Sequence, residues 1–106
     1  MNLHLDLLSQ QRLEEALAGE PGIFKLFYDT EDCGCNGVLV IQIVSEPRST
    51  DLVIQSEPFP FVCDRQQESL FDHTMRLEAD PNYPAFKLIS DSNIFSTNIR
   101  LRDIRL

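Results

Sequence analysis

The cysteines are the residues of this chain best suited to metal chemistry, and two of its three cysteines stand together in Cys33-Gly34-Cys35. Thiolates are preferred ligands of zinc, iron and iron–sulfur clusters. With a single residue between the two cysteines, an internal disulfide would be strained, so two free thiols are expected. Gly34 gives the backbone the freedom to turn both sulfurs toward one centre. The spacing therefore predicts a metal-related site at Cys33 and Cys35.

The neighbours of this pair leave its chemistry open. Asp32 adjoins Cys33, so a single iron or zinc ion held by mixed sulfur and oxygen ligands competes with a cluster. Cys63 alternates with two phenylalanines, which predicts a small buried hydrophobe, and the alternative is a third metal ligand. A tight loop that retains its thiols without function is the remaining interpretation. The acidic surroundings disfavour an activated cysteine nucleophile, which needs an electropositive environment.

Composition narrows the classes of protein to consider. A length of 106 residues with 42% hydrophobic content predicts one domain, residues 1–106. The net charge of -8 argues against nucleic acid and anionic lipid as partners. The chain has no apolar run long enough for a membrane span and no export signal, and with its free cysteines this predicts a cytoplasmic protein. Common catalytic motifs are missing from the sequence, so an enzyme is not expected.

Local patterns predict the elements that position the cysteine loop. Residues 23–30 alternate as in a mostly buried strand, and residues 38–44 are largely apolar on both faces, as in a strand covered on two sides. If the two strands pair as an antiparallel hairpin, both cysteines lie in the connecting loop at residues 31–37. In the first strand one face carries Phe24, Leu26 and Tyr28 and the other carries Ile23, Lys25 and Phe27. The aromatic residues of both faces, Phe24, Phe27 and Tyr28, are predicted to pack in the core.

The remaining pattern predicts two helices. The first, at residues 7–18, begins after Asp6 as N-cap and is stopped by Glu20-Pro21-Gly22, where glycine permits a left-handed exit. The second runs from Asp64 to Phe71 with Leu70 and Phe71 inward.

The other strands are short and widely spaced. They are predicted at residues 2–5, 52–55, 75–79, 85–89 and 99–104, and Pro58 and Pro60 favour a sheet edge at residues 57–63. The total is about seven short strands in mixed or antiparallel sheets with two helices, a mostly β protein of the α+β class.

The order of these pieces resembles the HesB/IscA-like family of iron–sulfur cluster biogenesis proteins. The first cysteine of that family stands in a Cys-Ser-Gly stretch that leads into an apolar strand, and the matching stretch is Cys35-Asn36-Gly37-Val38. Ser45-Glu46-Pro47 ends that strand as in the family. Val62-Cys63-Asp64, with the helix after it, and Phe86-Lys87-Leu88 are similar to later family segments. The likeness runs from residue 2 to residue 94.

This resemblance implies a HesB-like domain that binds iron or a transient iron–sulfur cluster and passes it to assembly and acceptor proteins. The family pattern also has a second Cys-Gly-Cys near the C-terminus, whereas this chain has no cysteine after Cys63. Because clusters usually need four thiolates, two chains in a homodimer would have to share one, each contributing Cys33 and Cys35. The alternatives are a cofactor-free structural or interaction module that retains the fold, and a mononuclear iron or zinc protein.

The last seven residues contain three of the nine basic residues, Arg100, Arg102 and Arg105. They are predicted to lie on a charged edge strand that discourages aggregation, and the alternative is a docking strip for an acidic partner.

Overall fold

A computed structural model describes residues 1–30, 37–55 and 57–106. In these ranges the chain forms nine strands, the α-helix α1 (Leu7–Leu17) and a 3-10 helix (Arg65–Leu70). The strands are β1 (Asn2–Leu5), β2 (Ile23–Asp29), β3 (Val38–Val44), β4 (Asp51–Gln55), β5 (Phe61–Asp64), β6 (Thr74–Ala79), β7 (Phe86–Ile89), β8 (Ile94–Ile99) and β9 (Leu101–Asp103). The predicted α+β class with dominant strands is confirmed, although the strands number nine rather than about seven.

The strands form two mixed sheets. The five-stranded sheet has the order β4-β5-β2-β3-β9, and the four-stranded sheet has the order β1-β6-β7-β8. Strands β2 and β3 pair antiparallel along their whole length, from Ile23 opposite Val44 to Asp29 opposite Val38, which confirms the predicted hairpin. Strand β2 also pairs in parallel with β5, and β3 with β9.

The hydrophobic core is built from the alternating inward residues of both sheets together with α1. Phe24 and Leu26 of β2 are completely buried, and Tyr28 packs against the same core, which confirms the core positions predicted for Phe24 and Tyr28. Phe27 lies on the opposite face of β2, outside this core, so its predicted core position is wrong. On β3, Val40 and Ile41 point to opposite faces and are both buried, as expected of a strand covered on two sides. Burying one such side chain contributes about 1.5–3 kcal/mol to folding.

Helix α1 begins as its sequence predicts and ends earlier. The Asp6 carboxylate accepts a hydrogen bond from the Ser9 N–H at 2.7 Å. The left-handed exit occurs at Ala18 and Gly19, with φ of 55° and 79°, and not at Gly22. Gly22 is required for space, because a Cβ there would lie 2.9 Å from side-chain carbons of Leu17 and Ile43.

Two predicted details of this part of the chain are wrong. Pro58 and Pro60 do not mark a sheet edge, because both precede β5, which pairs on one side with β4 and on the other with β2. The second helix is a 3-10 helix capped by Asp64 as predicted, and Phe71 is buried, but Leu70 is 52% exposed. A six-residue 3-10 helix presents few positions to the core, and Phe71 takes that place.

The single strand predicted at residues 99–104 is two strands in different sheets. Strand β8 pairs with β7 in the four-stranded sheet, and β9 pairs with β3 at an edge of the five-stranded sheet. The chain therefore crosses between the sheets at Arg100. Neither helix in the described ranges has the length and apolar content needed to span a membrane.

Candidate functional site

The predicted metal site belongs to the connection between β2 and β3. Asp29 and Val38 are paired partners at the closed end of the hairpin, where residues 30–37 connect the two strands. Cys33, Cys35 and Asp32 lie in this connection, outside the described residues. The structure describes the ends of β2 and β3 at this connection, around the paired residues Asp29 and Val38, and we call this region the root of the hairpin.

Gly37 forms the return of the connection into β3. Its φ of 103° lies in the region that L side chains rarely adopt, so a glycine is required by the backbone. A Cβ at this position would also lie 3.2 Å from the Thr30 methyl carbon, which is tighter than an ordinary contact. The glycine of the family-like stretch Cys35-Asn36-Gly37 therefore has a conformational and a steric reason.

The other side of the root is held by Gln67 from the 3-10 helix. Its amide nitrogen donates to the Tyr28 carbonyl oxygen, and its amide oxygen accepts from the Tyr28 N–H, both at 2.9 Å. The side chain thus continues the hydrogen bonding of β2 beyond its pairing with β5, which ends at Leu26. Sequence reasoning missed Gln67, because no local spacing connects residues 39 positions apart.

The Tyr28 ring is packed in the core on the same side. Its centroid lies 5.5 Å from that of Phe71, which in turn lies 6.2 Å from that of Phe95. Burial raises the pKa of the Tyr28 hydroxyl, so the neutral phenol is the stable form. The end of β2 is therefore fixed by backbone pairing and by aromatic packing, and the connection starts from a rigid support.

The electrostatics of the root differ from those that the sequence alone indicates. In sequence the nearest basic residue to the acidic stretch is Lys25, but in the structure the Arg102 guanidinium of β9 forms an ion pair with the Asp29 carboxylate. The Asp29 side chain is 12% exposed. The predicted edge strand is confirmed for Arg102, which lies in β9 at the edge of the five-stranded sheet, whereas Arg100 and Arg105 lie outside that strand. Arg102 places a positive charge beside the hairpin root.

Cys63 lies on β5 within the core and has no exposed surface. Burial raises the pKa of its thiol to about 11, with the nearby carboxylates of Glu68, Asp51 and Asp64 acting in the same direction. The thiol form is therefore strongly favoured, as expected of a small buried hydrophobe. In the described part of the chain, no three residues of the types His, Cys, Asp and Glu come together as a metal site.

Solved structures share this fold. A proposed Fe-S biosynthesis protein from Lactobacillus salivarius matches with a TM-score of 0.83 at 17% identity, over 100% of both chains. SufA from Escherichia coli, described as involved in the biosynthesis of iron–sulfur clusters, matches with a TM-score of 0.63 at 19% identity, over 88% of this chain and 89% of SufA. At these identities the likeness defines the class of fold, that of Fe-S biosynthesis proteins.

Sequence comparison gives the family. The chain is 26% identical over 104 residues to an uncharacterised protein, YqkB from Bacillus subtilis strain 168, with 95% of this chain and 97% of YqkB covered. The sequence pattern of the family described as iron-sulphur cluster biosynthesis matches residues 1–103. The chain belongs to the iron–sulphur cluster biosynthesis family, which confirms the HesB/IscA-like resemblance.

Proposed function

We propose that this protein is a carrier in iron–sulfur cluster biosynthesis, which binds iron or a transient cluster through Cys33 and Cys35 and passes it to partner proteins. The observation that carries the proposal is the coincidence of two facts. The family match covers residues 1–103, and Cys33 and Cys35 lie in the connection between the paired residues Asp29 and Val38. The protein acts as a carrier and not as a catalyst.

The ligand count favours a site shared between two chains. One chain supplies two loop thiols, and a cluster usually takes four. The C-terminal stretch in which the family pattern has its further cysteines is here occupied by β8, which pairs with β7 and ends in the buried Ile99. A homodimer with a two-fold axis between the loops supplies four equivalent thiolates, and closed symmetric dimers are the commonest oligomers.

The rigid root suits a carrier. Gln67 and the β2–β3 pairing fix the two ends of the connection that contains Cys33 and Cys35. The positive charge of Arg102 beside Asp29 also offsets part of the local negative charge, which favours an anionic cluster more than the sequence alone indicates.

The first test is metal content after anaerobic purification and after reconstitution with iron and sulfide. The wild-type chain is expected to show visible absorbance, bound iron and acid-labile sulfide, on a dimer in size-exclusion chromatography. The Cys33→Ser/Cys35→Ser variant is expected to lose all three signals. Cys63→Ala is the matched control, because it also removes thiol and is expected to keep them.

The same samples separate the alternatives. If the purified chain is a monomer that holds zinc or iron without sulfide, this result would support a mononuclear site that includes Asp32 instead of a cluster. Metal content that is unchanged in the double variant would overturn the proposed ligands, and a wild-type chain that holds no metal would support a cofactor-free interaction module. Transfer is tested by mixing loaded protein with an apo-ferredoxin-type acceptor and measuring cluster circular dichroism on the separated acceptor.

A further inference from the structure

A cavity of about 310 Å³ lies where the chain crosses between the two sheets. Its wall comes from the middle of α1, from the start of β7 with the turn before it, and from the crossing between β8 and β9. The lining residues are Arg12, Pro84, Phe86, Arg100 and Leu101. Three of these residues are apolar, the other two are arginines, and none of the five is acidic. The cavity therefore combines apolar surface with positive charge.

Arg12 and Arg100 have no carboxylate partner among the described residues, unlike most basic residues of the chain. In the part of the chain that the structure describes, five of the nine basic residues form ion pairs, and these are Lys25, Arg76, Lys87, Arg102 and Arg105. The chain has 17 acidic residues, so an arginine without such a partner is unusual here. Two of them beside one cavity leave a local positive charge on a protein whose net charge is -8, and this charge attracts an anion from outside.

The structure separates the C-terminal arginines, which the sequence presents as one strip. Arg102 pairs with Asp29, and Arg105 donates to carbonyl oxygens at the end of α1. Arg100 lies at the crossing between the sheets and lines the cavity together with Arg12. The alternative of docking an acidic partner therefore narrows from the strip to Arg100, with Arg12 as a second residue that no local spacing connects to it.

Both guanidinium groups are partly held in place. Arg12 Nη1 donates to the Tyr83 carbonyl oxygen at 2.7 Å, and Arg100 Nε donates to Asn98 Oδ1 at 3.1 Å. A guanidinium has five N–H donors, so each arginine keeps several for a ligand. Because these contacts already restrict the two side chains, binding an anion costs less conformational entropy than it would with free arginines.

The lining indicates which anion suits the cavity. A carboxylate has two oxygens and accepts paired hydrogen bonds from a guanidinium. A phosphate group has three acceptor oxygens, whereas Pro84, Phe86 and Leu101 have no side-chain donor for the additional one. The net charge of -8 disfavours a polyanion such as nucleic acid. The volume lies near the lower end of the range of small-ligand pockets, about 300–1,000 Å³, which suits a single side chain.

We propose that this cavity binds the carboxylate of a glutamate side chain of a partner protein. The carboxylate accepts hydrogen bonds from Arg12 and Arg100, and the methylene groups of the glutamate pack on Phe86 and Leu101. Glutamate suits the cavity better than aspartate because its second methylene adds apolar contact. The inference goes beyond the carrier role, since it needs neither metal nor the cysteine connection.

The test is a titration of the ¹⁵N-labelled full chain with N-acetyl-glutamate methylamide at constant ionic strength, followed by amide NMR shifts. Saturable shifts are expected at residues of the cavity such as Phe86 and Leu101, with a millimolar Kd that suits a one-residue contact. N-acetyl-glutamine methylamide has nearly the same shape without the charge and is expected to leave these amides unmoved. The Cys33→Ser/Cys35→Ser variant is expected to bind the glutamate probe equally, which separates this proposal from the carrier proposal.

Two charge-matched variants decide whether the cavity is responsible. Arg12→Gln/Arg100→Gln removes its two positive charges and is expected to weaken binding at least about fivefold. Arg48→Gln/Arg65→Gln removes two arginines that also lack an ion pair among the described residues but do not line this cavity, and it is expected to leave binding unchanged. Arg100→Gln alone changes an exposed side chain, so it is expected to keep the fold and still weaken binding about twofold to threefold.

Two further probes test the source of the anion. Propionate represents a free carboxylate, and inorganic phosphate represents a phosphate group. Both are expected to bind no more tightly than the capped glutamate, because propionate lacks the peptide groups of a chain and phosphate lacks the apolar stem.

Three results overturn the proposal. The first is the absence of cavity shifts up to about 50 mM of the glutamate probe, well above the Kd expected for such a contact. The second is equal weakening in the two double variants, which indicates a response to net charge alone. The third is tighter binding of propionate or phosphate than of the capped glutamate, which means that the cavity recognises a free small anion and not a partner protein.

Discussion

The buried pair of Lys25 and Asp51 permits a quantitative test of how the five-stranded sheet is stabilised. Removing one partner leaves the other charge buried without a counter-charge, whereas removing both leaves no buried charge. We therefore expect Lys25→Met and Asp51→Leu each to destabilise the fold strongly, and the double variant Lys25→Met/Asp51→Leu to recover most of the loss.

The magnitude follows from separation and burial. At 2.8 Å, two unit charges attract by about 6 kcal/mol if the effective dielectric constant is about 20. Most of this attraction is offset by the cost of removing both groups from water, which is large because the side chains are 6% and 1% exposed. Each single variant is expected to lose about 3–5 kcal/mol, and the double variant to stay within about 2 kcal/mol of wild type.

The assay is urea unfolding followed by far-ultraviolet circular dichroism, combined as a double-mutant cycle. The matched control is the pair of Arg76 and Asp91, with a similar separation of 3.0 Å but side chains that are 43% and 95% exposed. Its cycle is expected to give a coupling energy near zero. Additive effects of the Lys25 and Asp51 variants, or single losses as small as those of the control pair, would refute the reasoning.

Three further changes test the supports of the sheet and the core. Gln67→Ala removes both hydrogen bonds to the end of β2 and is expected to cost about 1–2 kcal/mol in urea unfolding, with faster hydrogen exchange at the β2 amide that it held; unchanged exchange would contradict the proposed clamp. Arg105 donates to two carbonyl oxygens of the last turn of α1, so Arg105→Met is expected to lower the melting temperature and fray that turn, while Arg100→Met should not; equal effects would contradict the cap. Cys63, in the variant without loop cysteines, is expected to react with Ellman's reagent only after unfolding. Because its pKa is raised from 9.0 to about 11 in the folded state, the fold binds more protons than the unfolded chain in that interval, and stability should fall as pH rises through it; Cys63→Ala should lack this component.

Features that depend on neighbouring residues were accessible from the sequence. Alternation showed which residues of β2 share a face, and the Asp6 side chain marked the start of α1, because both signals act within a few residues. The hairpin of β2 and β3 followed from two adjacent strands with a short connection. Cys33 and Cys35 lie between the two strands in sequence, so their position in the connection could be predicted once the strands were identified.

Features that depend on distant residues were not accessible. The division of residues 94–103 into strands of different sheets follows from where β7 and β3 offer free edges, which is a property of the assembled fold. The position of β5 inside its sheet also depends on the assembled fold. Pro58 and Pro60 precede the paired residues of β5, so they do not prevent pairing on both sides. The Gln67 clamp and the pairing of Arg102 with Asp29 join residues 39 and 73 positions apart, and no local pattern encodes them.

The C-terminal segment links these observations to the proposed site. In the family pattern this part of the chain supplies cysteines, whereas here β8 pairs with β7 and the following strand carries Arg102 to the root of the hairpin. The segment thus contributes a positive charge near the cysteine connection where the family pattern contributes thiolates. A second copy of the loop is then the simplest source of the missing ligands, since it supplies thiolates without any change in β8. Because Arg102 of each copy neutralises the Asp29 carboxylate of the same chain, an anionic cluster shared by the two loops would meet less negative charge than the sequence alone indicates.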